Sequence, residues 1–192
     1  MTQTANIQSS RNNTADKFQS TTRTGDTPPS LTRFHNLIAS NAAIAIGSRI
    51  HGNRAEMYVN GMCVQLGRDL TAFPSVVVVN GEPSFTDARA DVLQNPTLII
   101  DVISNEVDAA GRAEKLERYL AIASTKECLL VRVDQMRIEH YARQNAKQWL
   151  YRIYDGRDDV VSLDSISCKL SVAEIYAQVK LPHAELSSKA VN

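Results

Sequence analysis

Apolar residues recur along this chain in two patterns, one typical of helices and one typical of buried strands. A spacing of three and four predicts helices over 31–51, 109–124 and 172–179. An unbroken valine run at 76–79 and a run at 98–103 that is apolar except for Asp101 predict strands that are covered on both faces. Helices and strands therefore alternate along the chain.

Shorter extended segments add further strands. Residues 56–66 predict two strands joined at Asn60 and Gly61, because Asn-Gly is a strong signal for a hairpin turn. Four more segments rich in strand-forming residues follow the second apolar run, at 127–133, 137–143, 149–154 and 160–163. The order helix, strands, helix, strands, helix predicts an α/β domain with a mixed sheet and an antiparallel C-terminal meander.

The N-terminal end of the chain differs in composition from its middle. More than half of residues 1–30 are Ser, Thr, Asn or Gln, and few of them are large and apolar. Such a segment buries too little surface to offset the entropy that is lost on ordering. We therefore predict a flexible polar tail at 1–30, one domain at 31–180 and a C-terminal tail at 181–192.

Composition excludes several classes of protein. The 21 Lys and Arg residues balance the 21 Asp and Glu residues, which excludes a globally cationic nucleic-acid coat but not a local basic cleft. The chain has no apolar run of about 18 residues and no signal-peptide core, which predicts a cytoplasmic protein without a membrane span. It also lacks CxxC spacing, a Gly-rich phosphate loop and a GxSxG elbow.

Asp101 is the most informative residue, because the other five residues of its apolar run are Leu, Ile or Val. An ionised carboxylate cannot be buried alone, so it must be protonated, paired, hydrogen-bonded or bound to a metal. One interpretation is a structural ion pair with Arg112 or Lys115 on the helix that follows. The other is a metal ligand, since sites in α/β sheets gather at the carboxyl ends of strands.

Lys115 and Arg112 lie on the sheet-facing side of that predicted helix. Helical periodicity places Arg112 within the apolar stripe and Lys115 at its border. An acid and a lysine above a sheet suit metal-dependent phosphodiester hydrolysis, in which the lysine stabilises the charge that develops on the phosphate oxygens. Mg²⁺ usually needs more than one carboxylate, and the sequence offers no obvious second one.

Several short segments together resemble one known family. They are Phe73–Val78, Leu98–Ser104, Arg112–Lys115 with Tyr119, and Val133–Asp134 followed by Arg137–Tyr141. In order and spacing these segments are similar to the Uma-type family, whose members are described as putative restriction endonucleases. The resemblance covers about residues 31–180 and implies the restriction-endonuclease-like fold of the PD-(D/E)XK nuclease superfamily, a mixed β-sheet flanked by helices.

The resemblance also implies a catalytic site, formed by Ser75, Asp101 and Lys115. Lys115 matches the family pattern, and Asp101 stands where the family usually has Glu and would be the metal ligand. Ser75 occupies the position of the family's first acid but is not an acid. At three further positions where the family often has an acidic residue, this chain has Phe34, Gly61 and Gly111.

Two hypotheses about function follow. The first is a Mg²⁺-dependent endonuclease that acts on DNA through a degenerate acidic site. The alternative is a catalytically inactive family member that acts as a binding or assembly protein. Analogy with single-domain nucleases of this fold implies a homodimer in either case.

Overall fold

The computed structural model describes residues 32–50, 54–68, 70–86, 91–104 and 109–181. These residues form three α-helices and eleven strands. In chain order they are α1 (Arg33–Gly47), β1 (Ala55–Val59), β2 (Cys63–Gly67), β3 (Leu70–Ala72), β4 (Val76–Asn80), β5 (Val92–Leu93), β6 (Leu98–Ile103), α2 (Ala109–Ala121), β7 (Glu127–Arg132), β8 (Ile138–Asn145), β9 (Gln148–Tyr154), β10 (Val160–Leu163), β11 (Cys168–Ser171) and α3 (Val172–Ile175).

The central sheet has six strands in the order β1-β4-β6-β7-β8-β9. Strands β6 and β7 are parallel, with α2 as the connection between them, and every other pair in this sheet is antiparallel. The predicted mixed sheet is therefore present, and β7, β8 and β9 form the predicted C-terminal meander. Strands β2, β3 and β5 form a small second sheet, and β10 pairs with β11.

The two faces of the central sheet are covered by different helices. Residues of α1, α3 and the β10–β11 pair pack with one face in the larger apolar cluster, and α2 packs on the other face in a smaller one. Strand β6 is buried along its whole length. Its residues alternate between the two clusters, with Ile100 and Val102 in the larger and Ile99 and Ile103 in the smaller.

Arg143 of β8 fixes the C-terminal end of α2. Its guanidinium group donates to the main-chain oxygens of Leu120, Ile122 and Thr125, at 2.7, 2.9 and 2.7 Å. A cation at these carbonyls also complements the helix dipole. The helix ends at Ala121, three residues before the predicted end.

The other two helices are also shorter than the apolar spacing predicts. Helix α1 ends at Gly47, and α3 ends at Ile175. The side-chain amide of Asn41 donates to the carbonyls of Ile175 and Ala177, at 3.1 and 2.8 Å, which closes α3 early. Side chains from other elements thus set helix ends that periodicity alone does not determine.

The predicted hairpin at Asn60 and Gly61 is wrong, although both residues have positive φ. Strand β1 pairs with β4 in the central sheet, and β2 pairs with β3 and β5 in the small sheet. The Asn60 N–H donates to the carbonyl of Ser75, 2.9 Å away, which extends the β1–β4 pairing. The buried valine strand β4 is the partner of β1, so the turn carries the chain from one sheet to the other.

Other parts of the predicted organisation lie outside the described residues. The predicted tails, 1–30 and 181–192, fall there except for Leu181, so the domain bounds stay predictions. Within the described ranges, no helix is both long and apolar enough to cross a bilayer.

Candidate functional site

Asp101 lies near the carboxyl end of β6 and forms an ion pair with Lys115 of α2. The Lys115 Nζ is 2.6 Å from the Asp101 Oδ2. The Asp101 side chain is 5% exposed and that of Lys115 is 40% exposed, so the ammonium group connects a buried carboxylate to solvent. Of the two cations that the sequence offered as partners, Lys115 forms the pair, and no ion pair of Arg112 occurs within the described part of the chain.

Tyr119 is the second partner of the same carboxylate oxygen. It lies one helical turn after Lys115, is fully buried, and donates its hydroxyl to Asp101 Oδ2 at 3.2 Å. Burial, and then the charge of Asp101, raises the pKa of Tyr119 well above its ordinary value. Tyr119 therefore keeps its proton and acts as a hydrogen-bond donor.

Ser75 lies beside this pair, where β4 begins. Val76 is opposite Ile100, so the preceding residue, Ser75, comes next to the end of β6. The Ser75 hydroxyl accepts the N–H of Val102 at 3.1 Å and is hydrogen-bonded to His35 Nε2 at 3.0 Å. Ser75 is 3% exposed, so its hydroxyl is a buried bridge between β6 and α1.

His35 completes the site from the first turn of α1. Thr32 caps this helix by accepting the His35 N–H, which places the imidazole beside the start of β4. Desolvation lowers the pKa of His35; Asp101 opposes this effect, and Lys115 adds to it. His35 is therefore neutral near pH 7, and its Nδ1 has no hydrogen-bond partner within the described residues.

The structure brings together the three residues that the resemblance implies, Ser75, Asp101 and Lys115. Two further members, Tyr119 and His35, were missed. Tyr119 lies four residues after Lys115, so helical spacing puts both side chains on the same side of α2, and this was the signal that its hydroxyl could reach the same carboxylate. His35 could not be assigned to the site from the sequence, because no local pattern connects it with a serine forty residues away.

Comparison with known proteins identifies the family. The model of the Uma2 family, described as "Putative restriction endonuclease", matches residues 25–174. The chain belongs to the Uma2 family. The family resemblance inferred from the sequence is thereby confirmed.

Individual relatives agree with this assignment. The uncharacterized protein sll1609 of Synechocystis is 30% identical over 117 residues, which are 60% of this chain and 66% of that protein. The match thus spans just under two thirds of that relative. A crystal structure of a putative nuclease belonging to DUF820, from Anabaena variabilis, superposes with a TM-score of 0.64 at 17% identity, covering 81% of this chain and 85% of that one. This likeness confirms the predicted nuclease fold.

The Uma2 fold implies a divalent metal, and the donor atoms at this site are a poor fit for one. Mg²⁺ prefers several hard oxygen ligands, usually with more than one carboxylate. Within the described ranges, no three His, Cys, Asp or Glu side chains are grouped to hold a metal. Asp101 Oδ2 is held by Lys115 and Tyr119, and the neutral hydroxyl of Ser75 is engaged by His35 and a main-chain N–H.

A second buried polar cluster lies elsewhere in the Uma2 domain. His140 Nε2 is 3.0 Å from Glu127 Oε1, and Glu127 Oε2 accepts from the N–H and the hydroxyl of Ser165. The carboxylate stands between the serine and the histidine, so the imidazole cannot take the serine proton. This cluster fastens the segment between β10 and β11 to β7 and β8 and is not a nucleophilic triad.

Proposed function

We propose that this Uma2 protein is a nuclease-fold protein without Mg²⁺-dependent DNA cleavage, and that it acts as a binding or assembly protein. One observation carries the proposal: the carboxylate of Asp101 is held by Lys115 and Tyr119, while a serine stands at the position of the family's first acid. The charge of the site is then balanced by its own residues.

The charge balance disfavours a divalent ion. Two carboxylates would offset the two charges of Mg²⁺, but here one carboxylate is already offset by one ammonium group. A divalent ion about 4 Å from the Lys115 ammonium would meet a repulsion on the order of 8 kcal/mol at an effective dielectric constant near 20. Lys115 would have to leave Asp101 before a metal could use the same oxygen.

Ser75 is a weak substitute for the missing acid. A hydroxyl carries no formal charge and is a poorer Mg²⁺ ligand than a carboxylate. The Ser75 oxygen also accepts the Val102 N–H in a buried setting, and giving up that bond would leave the N–H without an acceptor. These bonds favour a structural role for the Ser75 hydroxyl, which connects β6 with α1.

Two of the three basic side chains of α2 are already paired, and Arg112 alone of the three forms no ion pair within the described residues. Lys115 is paired with Asp101, and Arg118 is paired with Glu114 on the same helix. Paired cations release few counterions on contact with DNA, so they add little to affinity. This favours assembly over DNA binding through α2.

A second candidate function is the Mg²⁺-dependent DNA endonuclease. It is favoured by the contact between Asp101 and Lys115, because these are the two residues that match the family's catalytic pattern most closely. In that case Lys115 would stabilise the negative charge that develops on the phosphate oxygens. Among the described residues, no cluster of three His, Cys, Asp or Glu side chains supplies the further metal ligands.

A cleavage assay separates the two functions. The full chain is incubated with plasmid and oligonucleotide DNA in Mg²⁺ or Mn²⁺, beside Lys115→Ala and Asp101→Asn proteins purified identically. We expect no cleavage above the level of the two variants. Metal-dependent cleavage that both substitutions abolish would establish the endonuclease and overturn the first proposal.

The homodimer also stays a prediction. Analogy with other nucleases of this fold does not say which surface would form the homodimer, whereas the strand order of the central sheet suggests one.

A further inference from the structure

We propose that the outer edge of β9 is a homodimer interface, where two copies pair their β9 strands antiparallel about Tyr151. This would join two six-stranded sheets into one continuous sheet. The inference rests on the edge strand and not on the chemistry of the Asp101 site. The homodimer proposal therefore stands even if the proposed function is overturned.

Strand β9 is a long edge with few features that discourage pairing. It is the last strand of the central sheet and pairs with β8 on one side only, within the described residues. Its seven residues contain no Pro, no Gly and one charged side chain, Arg152. Natural edge strands are usually short, charged, bulged or covered, since unpaired N–H and C=O groups attract another strand.

The α2-side face of β9 is apolar and incompletely covered. Tyr151 is 45% exposed and Ile153 is 42% exposed. Tyr151 lies against Tyr141 of β8 with ring centroids 4.8 Å apart, and Tyr141 packs on the smaller apolar cluster. The exposed residues are therefore a continuation of the core that α2 leaves uncovered at the sheet edge.

Side-chain chemistry matches β9 to a second copy of itself. In an antiparallel pair centred on Tyr151, the two Tyr151 residues are opposite each other and Trp149 is opposite Ile153 of the second copy. Arg152 is then opposite an uncharged Leu150. A pair centred on Arg152 would place two guanidinium groups together, so charge disfavours that register, whereas the register about Tyr151 places the apolar and aromatic residues opposite one another.

The same surface is poorly suited to nucleic acid. Arg143, which stacks on Trp149 at 4.2 Å, donates to three carbonyls at the end of α2. Arg137 is paired with Glu139. Within the described residues, the two arginines that border this aromatic face are thus already engaged, and this favours a second copy as the occupant.

The mass of the full chain in solution tests the proposal, by sedimentation velocity over a concentration series. We expect a species of twice the 21.2 kDa chain mass. Ile153→Lys should weaken the dimer at least about tenfold, because it removes an apolar contact near the centre of the interface. Its lysine is opposite Glu139 of β8, so the single chain tolerates it.

Two controls locate the interface. Ile44→Lys changes an isoleucine that is 70% exposed on α1, away from β9, and should leave the dimer intact. Tyr151→Cys in a Cys63→Ser background should form an intermolecular disulfide, since residues at the symmetry axis of an antiparallel pair are within disulfide reach. Val160→Cys, at an exposed residue outside β9, should not cross-link under the same conditions.

Trp149 gives an independent signal, because it is the chain's single tryptophan. Its emission should shift to shorter wavelength as the wild-type protein associates, and Ile153→Lys should remove the shift. A monomer at every concentration would overturn the proposal, as would a dimer that Ile153→Lys leaves unchanged and that Tyr151→Cys fails to cross-link. A monomer whose Trp149 emission is quenched by a single-stranded oligonucleotide would assign the surface to nucleic acid instead.

Discussion

The Lys115 Nζ is 2.6 Å from the Asp101 Oδ2, and this contact ties helix α2 to the carboxyl end of strand β6. The carboxylate is buried and the ammonium group is partly exposed. Substituting one residue or the other should therefore lower the free energy of unfolding by different amounts. Removing Lys115 leaves a buried charge, whereas neutralising Asp101 leaves a lysine that can reach water.

We expect Lys115→Met to lower the free energy of unfolding by about 1–3 kcal/mol. Breaking a fully buried ion pair costs more, about 3–5 kcal/mol, but partial exposure screens this one. Urea unfolding measures the change, with Lys169→Met at an exposed position of β11 as the control. Adding Asp101→Asn to Lys115→Met should restore part of the loss, and strict additivity of the two changes would argue against their coupling.

Tyr119→Phe should lower the free energy of unfolding by about 1 kcal/mol, since it removes one buried hydroxyl that donates to a carboxylate. The ring itself stays in the apolar cluster under α2. Tyr154→Phe is the matched control, because its hydroxyl has no hydrogen-bond partner in the described ranges. Equal effects of the two substitutions in urea unfolding would mean that the Tyr119 bond to Asp101 contributes nothing.

The fold could be predicted from the sequence where apolar runs dominate. Val76–Asn80, except for its last residue, and Leu98–Ile103 are buried strands, because short runs rich in Val and Ile favour strands and a sheet covered on both faces buries every residue of such a run. The pairing of β1 could not be predicted, since a local Asn-Gly signal competes with a buried partner strand distant in sequence. The short strands β3, β5 and β11 were missed for the same reason, because only pairing with other segments makes them strands.

In the candidate site, too, some residues could be predicted from the sequence and others could not. Asp101 and Lys115 could be predicted because a lone acid in an apolar strand requires a partner, and the next helix supplies a cation at its border. The bond between Ser75 and His35 joins residues forty positions apart, on elements whose packing is decided by the whole core. The assignment of these residues to catalysis or metal binding remains a prediction.

His35 makes stability depend on pH. Desolvation lowers the pKa of His35 below its ordinary value of 6.5, so the unfolded chain binds a proton that the folded chain resists. Above about pH 6.5 the imidazole is neutral in both states, so its contribution to stability is highest there. As the pH drops from 6.5 toward the pKa of His35 in the folded state, the unfolded chain gains a proton first and the free energy of unfolding decreases.

Urea midpoints between about pH 8 and pH 5 measure this dependence. The wild-type protein should lose more stability on acidification than His35→Gln, which keeps a polar group near Ser75 but has no titrating ring. Parallel pH profiles for the two proteins would contradict the assignment.

Arg143 should matter more than an exposed arginine of the same strand pair. Arg143→Lys keeps the positive charge at the end of α2 but cannot reproduce three hydrogen bonds from a planar group, so we expect a loss of about 1–3 kcal/mol. Arg152→Lys on β9 is the control and should change stability by less than about 0.5 kcal/mol. Urea unfolding of both variants checks the difference, and similar losses would refute the capping role.

Ser75→Asp tests whether one missing acid separates this site from a metal centre. The new carboxylate would lie beside Asp101, so without metal the like charges should destabilise the fold. Added Mg²⁺ should then raise the melting temperature of the variant and not that of the wild-type protein. Ser75→Asn, similar in size but uncharged, is the control and should show no response to Mg²⁺.

The balance of charge at Asp101 is tested most directly by calorimetric titration of Mg²⁺ into the wild-type protein. We predict no saturable heat for the wild-type chain, because Lys115 and Tyr119 hold the only carboxylate found at the site within the described residues. Saturable Mg²⁺ binding by the wild-type protein that Asp101→Asn abolishes would contradict this account.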